Sequence, residues 1–381
     1  MKGKSYKGQV LLGKYKILNL LTQGGMDSLI YLAEDISFSE KNYFSNKYKY
    51  SAVKIIEKTE DTDNGQWEKI LDEGTTTGRL IGKKNIVELY EFAKLNENTI
   101  LIIMEYIDGP TLSKYISNSG VIPLNESIYI FEQVLIGVNE LHKNSNIIIH
   151  RDLKPDNILI SKDLSKVKII DFGISSVLKK TKDKSNKMEV FTNEESFFGT
   201  IPYITPDILS YKSQSKDNLA SLITKQFDFH SLGVIFYEMI TGKKIFYYED
   251  ENNVRSIGLP LIYDIVPMKS IFEDFPNDIE NIILKLIASK EEDYHYRYSN
   301  IEEILNDLQE YKTRIINGEP EPPFLKKTSN RNLQFSPKFS VKKEIFKFHK
   351  NNRIVQNGYL IIIFLTILLL ILIVLFFLGI F

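Results

Sequence analysis

The sequence predicts an α+β fold of two lobes, a β-rich lobe followed by an α-rich lobe, with one C-terminal transmembrane helix. Short β-branched and aromatic runs fill residues 14–105, and helical periodicity dominates beyond residue 111. Strands grouped before helices are typical of α+β proteins. At the end of the chain, the segment from Tyr359 to Phe381 carries no charge and is almost wholly apolar.

The β-rich lobe contains five runs with strand composition and one helical stretch. β-branched and aromatic residues favour strands, and each run has the length of a single strand. Apolar residues at helical spacing interrupt the runs at about residues 66–81. The predicted strands cover residues 14–21, 28–33, 51–56, 87–92 and 100–104.

The α-rich lobe is predicted from segments in which apolar residues recur at helical spacing, namely 127–143, 228–241 and 277–288. The sequence Gly318-Glu-Pro-Glu-Pro-Pro-Phe324 then breaks both patterns and marks the predicted end of the domain. The predicted organisation is a domain at 1–318 with lobes at about 1–105 and 109–318, a linker at 319–357 and a transmembrane helix at 358–381.

Composition narrows the classes of function. Of 381 residues, 43% are hydrophobic, which is enough for a packed core, and the absence of cysteine excludes disulfides and thiolate metal sites. Residues 326–381 carry nine Lys or Arg and one acid, so subtraction from totals of 48 and 49 leaves 39 basic and 48 acidic residues in 1–325. An acidic body with a basic tail argues against nucleic acid as the partner of the body.

The apolar segment predicts a membrane anchor. As a helix, the 23 residues from Tyr359 to Phe381 would extend about 35 Å, enough for a hydrocarbon core of about 30 Å. The alternative is a buried core helix, but an uninterrupted apolar run of this length is typical of membrane spans. Because basic flanks stay on the cytoplasmic side, we expect a single-pass membrane protein with a cytoplasmic body. The basic residues of 326–353 would attract an anionic leaflet, either as a short interfacial helix or as a solvated tether.

Two short motifs carry the chemistry: His150-Arg-Asp-Leu-Lys-Pro-Asp-Asn157 and Asp171-Phe-Gly173. The first places a carboxylate, a lysine and an amide close together, and a second carboxylate follows 19 residues after the first. Phosphoryl transfer needs a base for the incoming hydroxyl, cations for the γ-phosphate and oxygen ligands for Mg²⁺. The motifs resemble the catalytic loop and the metal-binding motif of eukaryotic-type (Hanks-type) protein kinases. The resemblance implies the bilobal protein kinase fold, ATP and Mg²⁺ as cofactors, and protein substrates.

The resemblance also implies roles for individual residues. Asp152 would accept the proton of the substrate hydroxyl, and Lys154 would neutralise charge on the transferring phosphoryl group. Asn157 and Asp171 would ligate Mg²⁺, which prefers oxygen donors. A lysine at position 154 is the form seen in Ser/Thr kinases, and the sequence at 199–203, Gly-Thr-Ile-Pro-Tyr, is similar to their substrate-docking loop.

The resemblance extends over about residues 15–311 and includes the nucleotide-binding parts. Gly24-Gly25-Met26 is similar to the glycine-rich phosphate loop of bacterial members, and Ile30 follows on the next strand. The pattern departs at Thr22, which stands where the first glycine is expected. Glycines let backbone N–H groups approach phosphates closely, so this loop is expected to cover the nucleotide.

Ala52-Val53-Lys54 resembles the lysine motif of the third kinase strand. The resemblance implies that Ala52 lines the nucleotide site and that Lys54 holds the α- and β-phosphates. A carboxylate on the following helix should orient this lysine; Glu73 is the predicted partner, with Glu68 as the alternative.

Met104 to Gly109 resembles the hinge between the lobes, with Met104 as the gatekeeper. The backbone of Glu105 and Tyr106, or of Ile107, is expected to hydrogen-bond the adenine.

Further residues of the α-rich lobe resemble structural positions of the family. Asp228 corresponds to an aspartate that braces the catalytic loop, and Asp207, in place of the usual glutamate, is expected to pair with Arg297. Arg151 precedes the base, which suggests activation by phosphorylation of the segment 174–198.

The predicted function is a membrane-anchored Ser/Thr protein kinase that phosphorylates proteins and itself. Two alternatives stay open on the sequence alone: a membrane-anchored pseudokinase scaffold, and a small-molecule kinase of related fold.

Overall fold

The computed structural model describes residues 5–23, 28–37, 49–58, 67, 82–143, 148–171, 203, 224–243, 268–288 and 295–325. The chain divides into two compact units. One comprises Met1–Ile265 and Asn277–Ser329, and the other comprises Val266–Pro276 and Asn330–Phe381.

The first unit begins with a six-stranded antiparallel sheet in the order β1-β2-β3-β4-β6-β5. All five predicted strands are confirmed, with ends that differ by a few residues, and β1 is an additional strand. The strands are β1 Val10–Leu11, β2 Tyr15–Gln23, β3 Leu29–Asp35, β4 Tyr50–Glu57, β5 Leu89–Asn96 and β6 Thr99–Glu105.

Both faces of the sheet are covered, which is why β4 is buried from Ser51 to Ile56 although successive side chains in a strand point to opposite faces. On one face, Val53 and Ile55 pack in a cluster that includes Tyr6. On the other face, Ile56 packs with Trp67, the one described residue of the helix predicted at 66–81.

The segment before β1 belongs to the core of the sheet. Tyr6 is 2% exposed, its hydroxyl donates to Glu57 Oε1 over 2.6 Å, and its ring meets Tyr31 edge-on at 6.1 Å. Burial, and then the hydrogen bond to Glu57, raise the pKa of Tyr6. The N-terminal residues therefore anchor the end of β4, the strand that carries Lys54.

The α-rich lobe contains helices whose ends carry recognisable caps. Thr111, Thr224 and Asn300 accept hydrogen bonds from backbone N–H groups of the first turns, as N-cap residues do. The helices predicted at 127–143, 228–241 and 277–288 are confirmed. The helices of the described residues are α1 Leu112–Ser119, α2 Leu124–His142, α3 Lys225–Thr241, α4 Met268–Ile271, α5 Asn277–Ile287 and α6 Ile301–Asn317, of which α4 belongs to the second unit.

The central element of this lobe is α3, which is buried along almost its whole length. Phe236 of α3 stacks on Phe131 of α2 with ring centroids 4.1 Å apart and planes at 2°. A short hairpin of β7 Ile158–Ile160 and β8 Val167–Ile169 packs beside α1 and α2. The packing of α3 fixes the position of Asp228 in its first turn.

A short segment after α6, residues 319–325, is held against α5, and we call it the C-terminal strap. Asn277 Nδ2 donates to Pro322 O over 2.9 Å, and Asn281 Nδ2 donates to Pro323 O over 3.1 Å. Leu325 N–H donates to Asn281 Oδ1 over 2.9 Å. The described fold therefore continues beyond Gly318 to Leu325.

No helix among the described residues is long and apolar enough to cross a membrane. The predicted transmembrane helix at 358–381 and the basic segment 326–353 lie outside the described residues.

Candidate active site

A buried aspartate of α3 fixes the catalytic loop. Asp228 is 0% exposed and accepts hydrogen bonds from the backbone N–H of His150 over 3.0 Å and of Arg151 over 3.1 Å. His142 Nε2 lies 2.7 Å from the same carboxylate. Arg151 has φ of 66°, a left-handed conformation that is uncommon for a non-glycine residue. The carboxylate holds the loop in this conformation directly before Asp152.

Three predicted residues meet within the loop. Lys154 Nζ lies 3.1 Å from Asp152 Oδ2, and Asn157 Nδ2 donates to the same oxygen over 3.2 Å. Asn157 Nδ2 also donates to Asp152 O over 2.8 Å. A 3₁₀ turn, Pro155–Asn157, directs the asparagine back towards the aspartate. The structure thus brings a carboxylate, an ammonium group and an amide together around one oxygen.

Lys54 and Asp171 form an ion pair between the lobes. Lys54 Nζ lies 2.6 Å from Asp171 Oδ1, and the side chains are 7% and 26% exposed. Burial by itself raises the pKa of Asp171, but the nearby Lys54 ammonium outweighs this effect and the pKa is lowered. Asp171 has φ of 57°, a conformation that aspartate adopts more readily than most residues. Both residues were predicted from the sequence as parts of the site, but the partner predicted for Lys54 was a glutamate.

The predicted hinge follows β6. Strand register places Met104 opposite Ala52, and it places Ile30 opposite Lys54 on the neighbouring pair of strands. Glu105 N–H donates to Glu88 O over 2.8 Å. Because this N–H is already engaged, a contact from Glu105 to adenine would have to use its carbonyl group.

The hinge lies close to the β7–β8 hairpin because of Gly109. A Cβ atom at this position would lie 1.8 Å from Ile160 O, so only glycine permits the approach. Ile160 N–H donates to Pro110 O over 3.0 Å, and Lys162 N–H donates to Asp108 O over 3.0 Å. The hinge is therefore tied to the hairpin that leads to Asp171.

A family model described as a protein kinase domain matches residues 40–308. The chain belongs to the protein kinase family. A Mycoplasma genitalium protein with the provisional name serine/threonine-protein kinase is 33% identical over 345 residues, covering 86% of this chain and 86% of that protein. The corresponding Mycoplasma pneumoniae protein is 32% identical over 340 residues, covering 82% and 86%. The serine/threonine-protein kinase PrkC of Bacillus subtilis is 31% identical over 303 residues, which cover 79% of this chain and 41% of PrkC.

One residue of the predicted substrate-docking loop of this kinase is described. Tyr203 is buried, its hydroxyl donates to Glu238 Oε2 over 2.5 Å, and its carbonyl accepts from Ser231 Oγ over 2.7 Å. Burial, and then Glu238, raise the pKa of Tyr203. Arg297, the predicted partner of Asp207, donates from Nε to Ala288 O over 2.7 Å.

Several predicted residues of this kinase lie outside the described residues, so their placement stays a prediction. They are Gly24, Gly25 and Met26 of the phosphate loop, Glu73 and its alternative Glu68, Asp207, and the segment 174–198.

A group of mostly buried polar residues behind the hinge was not predicted from the sequence. The carboxylate of Glu105 contacts Lys166 and Lys168, and Asn85 donates from Nδ2 to Val167 O over 3.1 Å. The one signal in the sequence was a pair of lysines two residues apart beside a short apolar run, a pattern that many surface strands share.

Proposed function

We propose that this serine/threonine protein kinase transfers the γ-phosphoryl group of Mg-ATP to Ser and Thr hydroxyls of proteins, with Asp152 as the base. The observation that carries the proposal is the arrangement at Asp152 Oδ2, which has Lys154 Nζ at 3.1 Å and Asn157 Nδ2 at 3.2 Å. A base, a cation and a potential metal ligand therefore meet at one point. Phosphoryl transfer depends on positioning and on charge stabilisation of this kind.

Asp152 accepts the proton of the substrate hydroxyl while the hydroxyl oxygen bonds to the γ-phosphorus and the bond to the ADP oxygen breaks. Lys154, whose side chain is 19% exposed, lies beside the base and stabilises negative charge that develops on the transferring group. Lys54 is the cation for the α- and β-phosphates. Its ammonium sits on a flexible stem, so it can turn from Asp171 towards a phosphate.

The residues present fit Mg²⁺. Asn157 uses Nδ2 for its contacts with Asp152, which leaves the amide oxygen as the donor atom for a metal. Asp171 contributes a partly exposed carboxylate. Among the described residues, no group of three or more His, Cys, Asp or Glu could hold a metal ion. Two oxygen ligands suit Mg²⁺, which completes its shell with water and substrate phosphates. When bound, Mg²⁺ neutralises charge on the phosphates.

The pseudokinase alternative is not favoured. Lys54, Asp152, Asn157 and Asp171 are all present; the structure pairs Lys54 with Asp171, and Asn157 with Asp152. A scaffold without catalysis would need none of these contacts.

The decisive experiment compares the full-length protein with Asp152→Asn and with Asp163→Asn, the same substitution on the exposed β7–β8 turn. We expect Asp152→Asn to reduce kcat by about 10²–10⁴-fold, the usual contribution of a general base, with ADP affinity retained. Asp163→Asn should retain activity. Equal transfer by Asp152→Asn and wild type would overturn the assignment of the base. Mass spectrometry of the wild-type protein after incubation with Mg-ATP would show whether the segment 174–198 is phosphorylated.

We further propose that residues 358–381 anchor the kinase in a membrane and that the basic segment 326–353 lies near anionic lipid. The support is the uncharged apolar run and the basic charge next to it. Full-length protein should stay in the membrane fraction after washing at alkaline pH, whereas a chain ending at residue 353 should be released. Release of both chains would contradict the anchor.

A further inference from the structure

A buried carboxylate at the end of β6 is held by two lysines of the β7–β8 hairpin. Glu105 is 3% exposed; its Oε2 lies 2.8 Å from Lys168 Nζ, and its Oε1 lies 3.1 Å from Lys166 Nζ. We call these three residues the hinge cluster. Burial by itself raises the pKa of Glu105, but Lys168 and then Lys166 outweigh burial, so the pKa is lowered. The carboxylate therefore stays ionised while buried, which requires partners of this kind.

The two lysines of the hinge cluster are not equivalent. The Lys168 side chain is 10% exposed, and its Nζ also donates to Ile86 O over 3.1 Å. The Lys166 side chain is 45% exposed, and within the described residues its ammonium contacts Glu105 and no second acceptor. Lys168 thus joins three segments, namely the hinge, β8 and the loop at 82–88, whereas Lys166 joins two.

The loop at 82–88 is itself bonded to β8. Val87 N–H donates to Ile169 O over 2.9 Å, and Ile169 N–H donates to Asn85 O over 2.9 Å. Gly137 of α2 permits this approach, since a Cβ there would lie 2.9 Å from Asn85 O and 2.8 Å from Ile169 Cδ1. The hydrogen bond from Glu105 N–H to Glu88 O connects the loop to the hinge as well.

The hinge, β8 and the loop at 82–88 are thus bonded to one another, and together they reach from the hinge to Asp171, the two sides of the proposed nucleotide site. At one end is the carbonyl of Glu105, the backbone group through which this residue would contact adenine. At the other end, β8 leads through Ile170, whose N–H donates to Asn157 O over 3.0 Å, to Asp171. We infer that Lys168 is a positioning residue that sets the hinge against Asp171, so that the adenine end and the metal end of ATP are held in register. The inference rests on the proposed function.

The test uses two readouts on the full-length protein, one for each end of the site. The dissociation constant of adenosine, measured without Mg²⁺, reports the hinge. The concentration of free Mg²⁺ that gives half-maximal phosphoryl transfer, at a fixed and saturating concentration of Mg-ATP, reports Asp171. For Lys168→Met we expect both values to rise about ten-fold, within the range of about 5- to 150-fold that is typical of coupled sites. Lys166→Met is the matched control and should change either value by less than about two-fold, because water can replace its half-exposed ammonium group and Lys168 still pairs with Glu105. Lys168→Arg retains a cation, so its adenosine dissociation constant and its Mg²⁺ requirement should both lie close to those of wild type.

A merely structural lysine would lower the unfolding temperature but leave the adenosine constant and the Mg²⁺ requirement of the folded variant unchanged, and that result would overturn the inference. Equal effects of Lys166→Met and Lys168→Met would also overturn it. Should Lys168→Met fail to fold, Glu105→Gln removes the charge with little change of shape, and unchanged values in that variant would be equally decisive against the inference. A wild-type protein that neither binds adenosine nor transfers phosphate would contradict the proposed function itself.

Discussion

Two carboxylates of the active site, Asp228 and Asp171, are held in opposite ways. Asp228 is wholly buried and is bonded to two backbone N–H groups and to the ring of His142. Asp171 is 26% exposed and is paired with the ammonium group of Lys54 from the other lobe. Two of the partners of Asp228 are backbone N–H groups of the catalytic loop, which cannot leave without moving the loop, whereas Lys54 can turn away on its side chain.

The hydrogen bonds of Asp228 form a permanent frame for the catalytic loop, whereas the ion pair of Lys54 and Asp171 is an exchangeable contact, which ligands can replace. Buried hydrogen bonds to backbone groups fix the catalytic loop before any substrate arrives, which is how active sites become preorganised. The pair between Lys54 and Asp171 holds two groups that a nucleotide and its metal would use. We therefore expect substitutions in the frame to affect folding most strongly, and substitutions in the exchangeable pair to affect phosphoryl transfer most strongly.

The largest effect is expected for Asp228→Ala. The substitution leaves the N–H groups of His150 and Arg151 buried without an acceptor, so we expect the free energy of unfolding to fall by about 3–5 kcal/mol, as when a partner in a buried charged network is removed. Urea unfolding of the full-length protein measures this loss. The control is Asp307→Ala, since Asp307 contacts Lys285 and Tyr298 from a partly exposed position. A loss no larger than that of the control would contradict the idea of a rigid frame.

The exchangeable pair is tested by Lys54→Met. We expect kcat/KM for ATP to fall by about 10²–10³-fold, as when one group that stabilises transition-state charge is removed, with a smaller loss of stability than for Asp228→Ala. Lys94→Met, which removes a surface lysine paired with Glu97, is the control and should leave transfer unchanged. Transfer by Lys54→Met at the wild-type rate would show that the pair has no role in catalysis.

The pH dependence of the same variant gives a second measurement. In the folded protein the pKa of Asp171 lies below its usual value of 3.8, so the pair stabilises the fold above that pH and the stabilisation is lost as the pH falls through the folded value. The difference in unfolding free energy between wild type and Lys54→Met should therefore narrow below about pH 4. A constant difference would indicate that the lysine acts through packing alone.

The frame and the pair also differ in how far the sequence predicts them. Asp152, Lys154 and Asn157 lie within one short string, so local geometry was enough to bring them together as predicted. Asp228 was predicted as a brace only through the resemblance, because 76 residues separate it from Asp152 and no periodicity links the two. The partner of Lys54 was predicted from the resemblance as Glu73, and the described contact with Asp171 spans 117 residues.

The predicted strands and helices agree with the structure because their apolar patterns are strong. β1 has two residues, too few for a period, and the packing of Tyr6 into the sheet is a tertiary contact that composition does not report. The hinge cluster was missed because a buried Glu105 with two lysines looks like surface charge in the sequence. For the strap, the prolines correctly predicted an end to regular structure, but the side-chain amides of α5 that hold it gave no signal.

A smaller effect is expected at His230, a buried residue of α3. Burial, and then the charge of Arg297, lower the pKa of His230 from 6.5 to about 3. Below pH 6.5 the unfolded chain binds a proton that the folded chain does not, so this residue costs the fold about 1.4 kcal/mol per pH unit, or about 2 kcal/mol at pH 5. When the pH is lowered from 7.5 to 5, the free energy of unfolding should fall less for His230→Gln than for wild type, as measured by urea unfolding. His295→Gln, at an exposed histidine, is the control. Parallel pH profiles for wild type and His230→Gln would contradict the prediction.

The smallest effect is expected at the C-terminal strap, whose hydrogen bonds are made to α5. Asn281→Ala removes the donor to Pro323 O and the acceptor for Leu325 N–H. We expect a loss of about 1 kcal/mol in unfolding free energy, typical of such hydrogen bonds, and faster hydrogen exchange at Leu325. Gln309→Ala, at an exposed amide of α6, should change stability by less than about 0.5 kcal/mol.

Unchanged exchange at Leu325 in Asn281→Ala would mean that the strap is not held by α5. The result also bears on where the folded domain ends, because the sequence predicts that end at residue 318. If residues 319–325 are protected in wild type and exposed in the variant, the side chain of Asn281 holds the strap on α5 and the folded domain extends to Leu325.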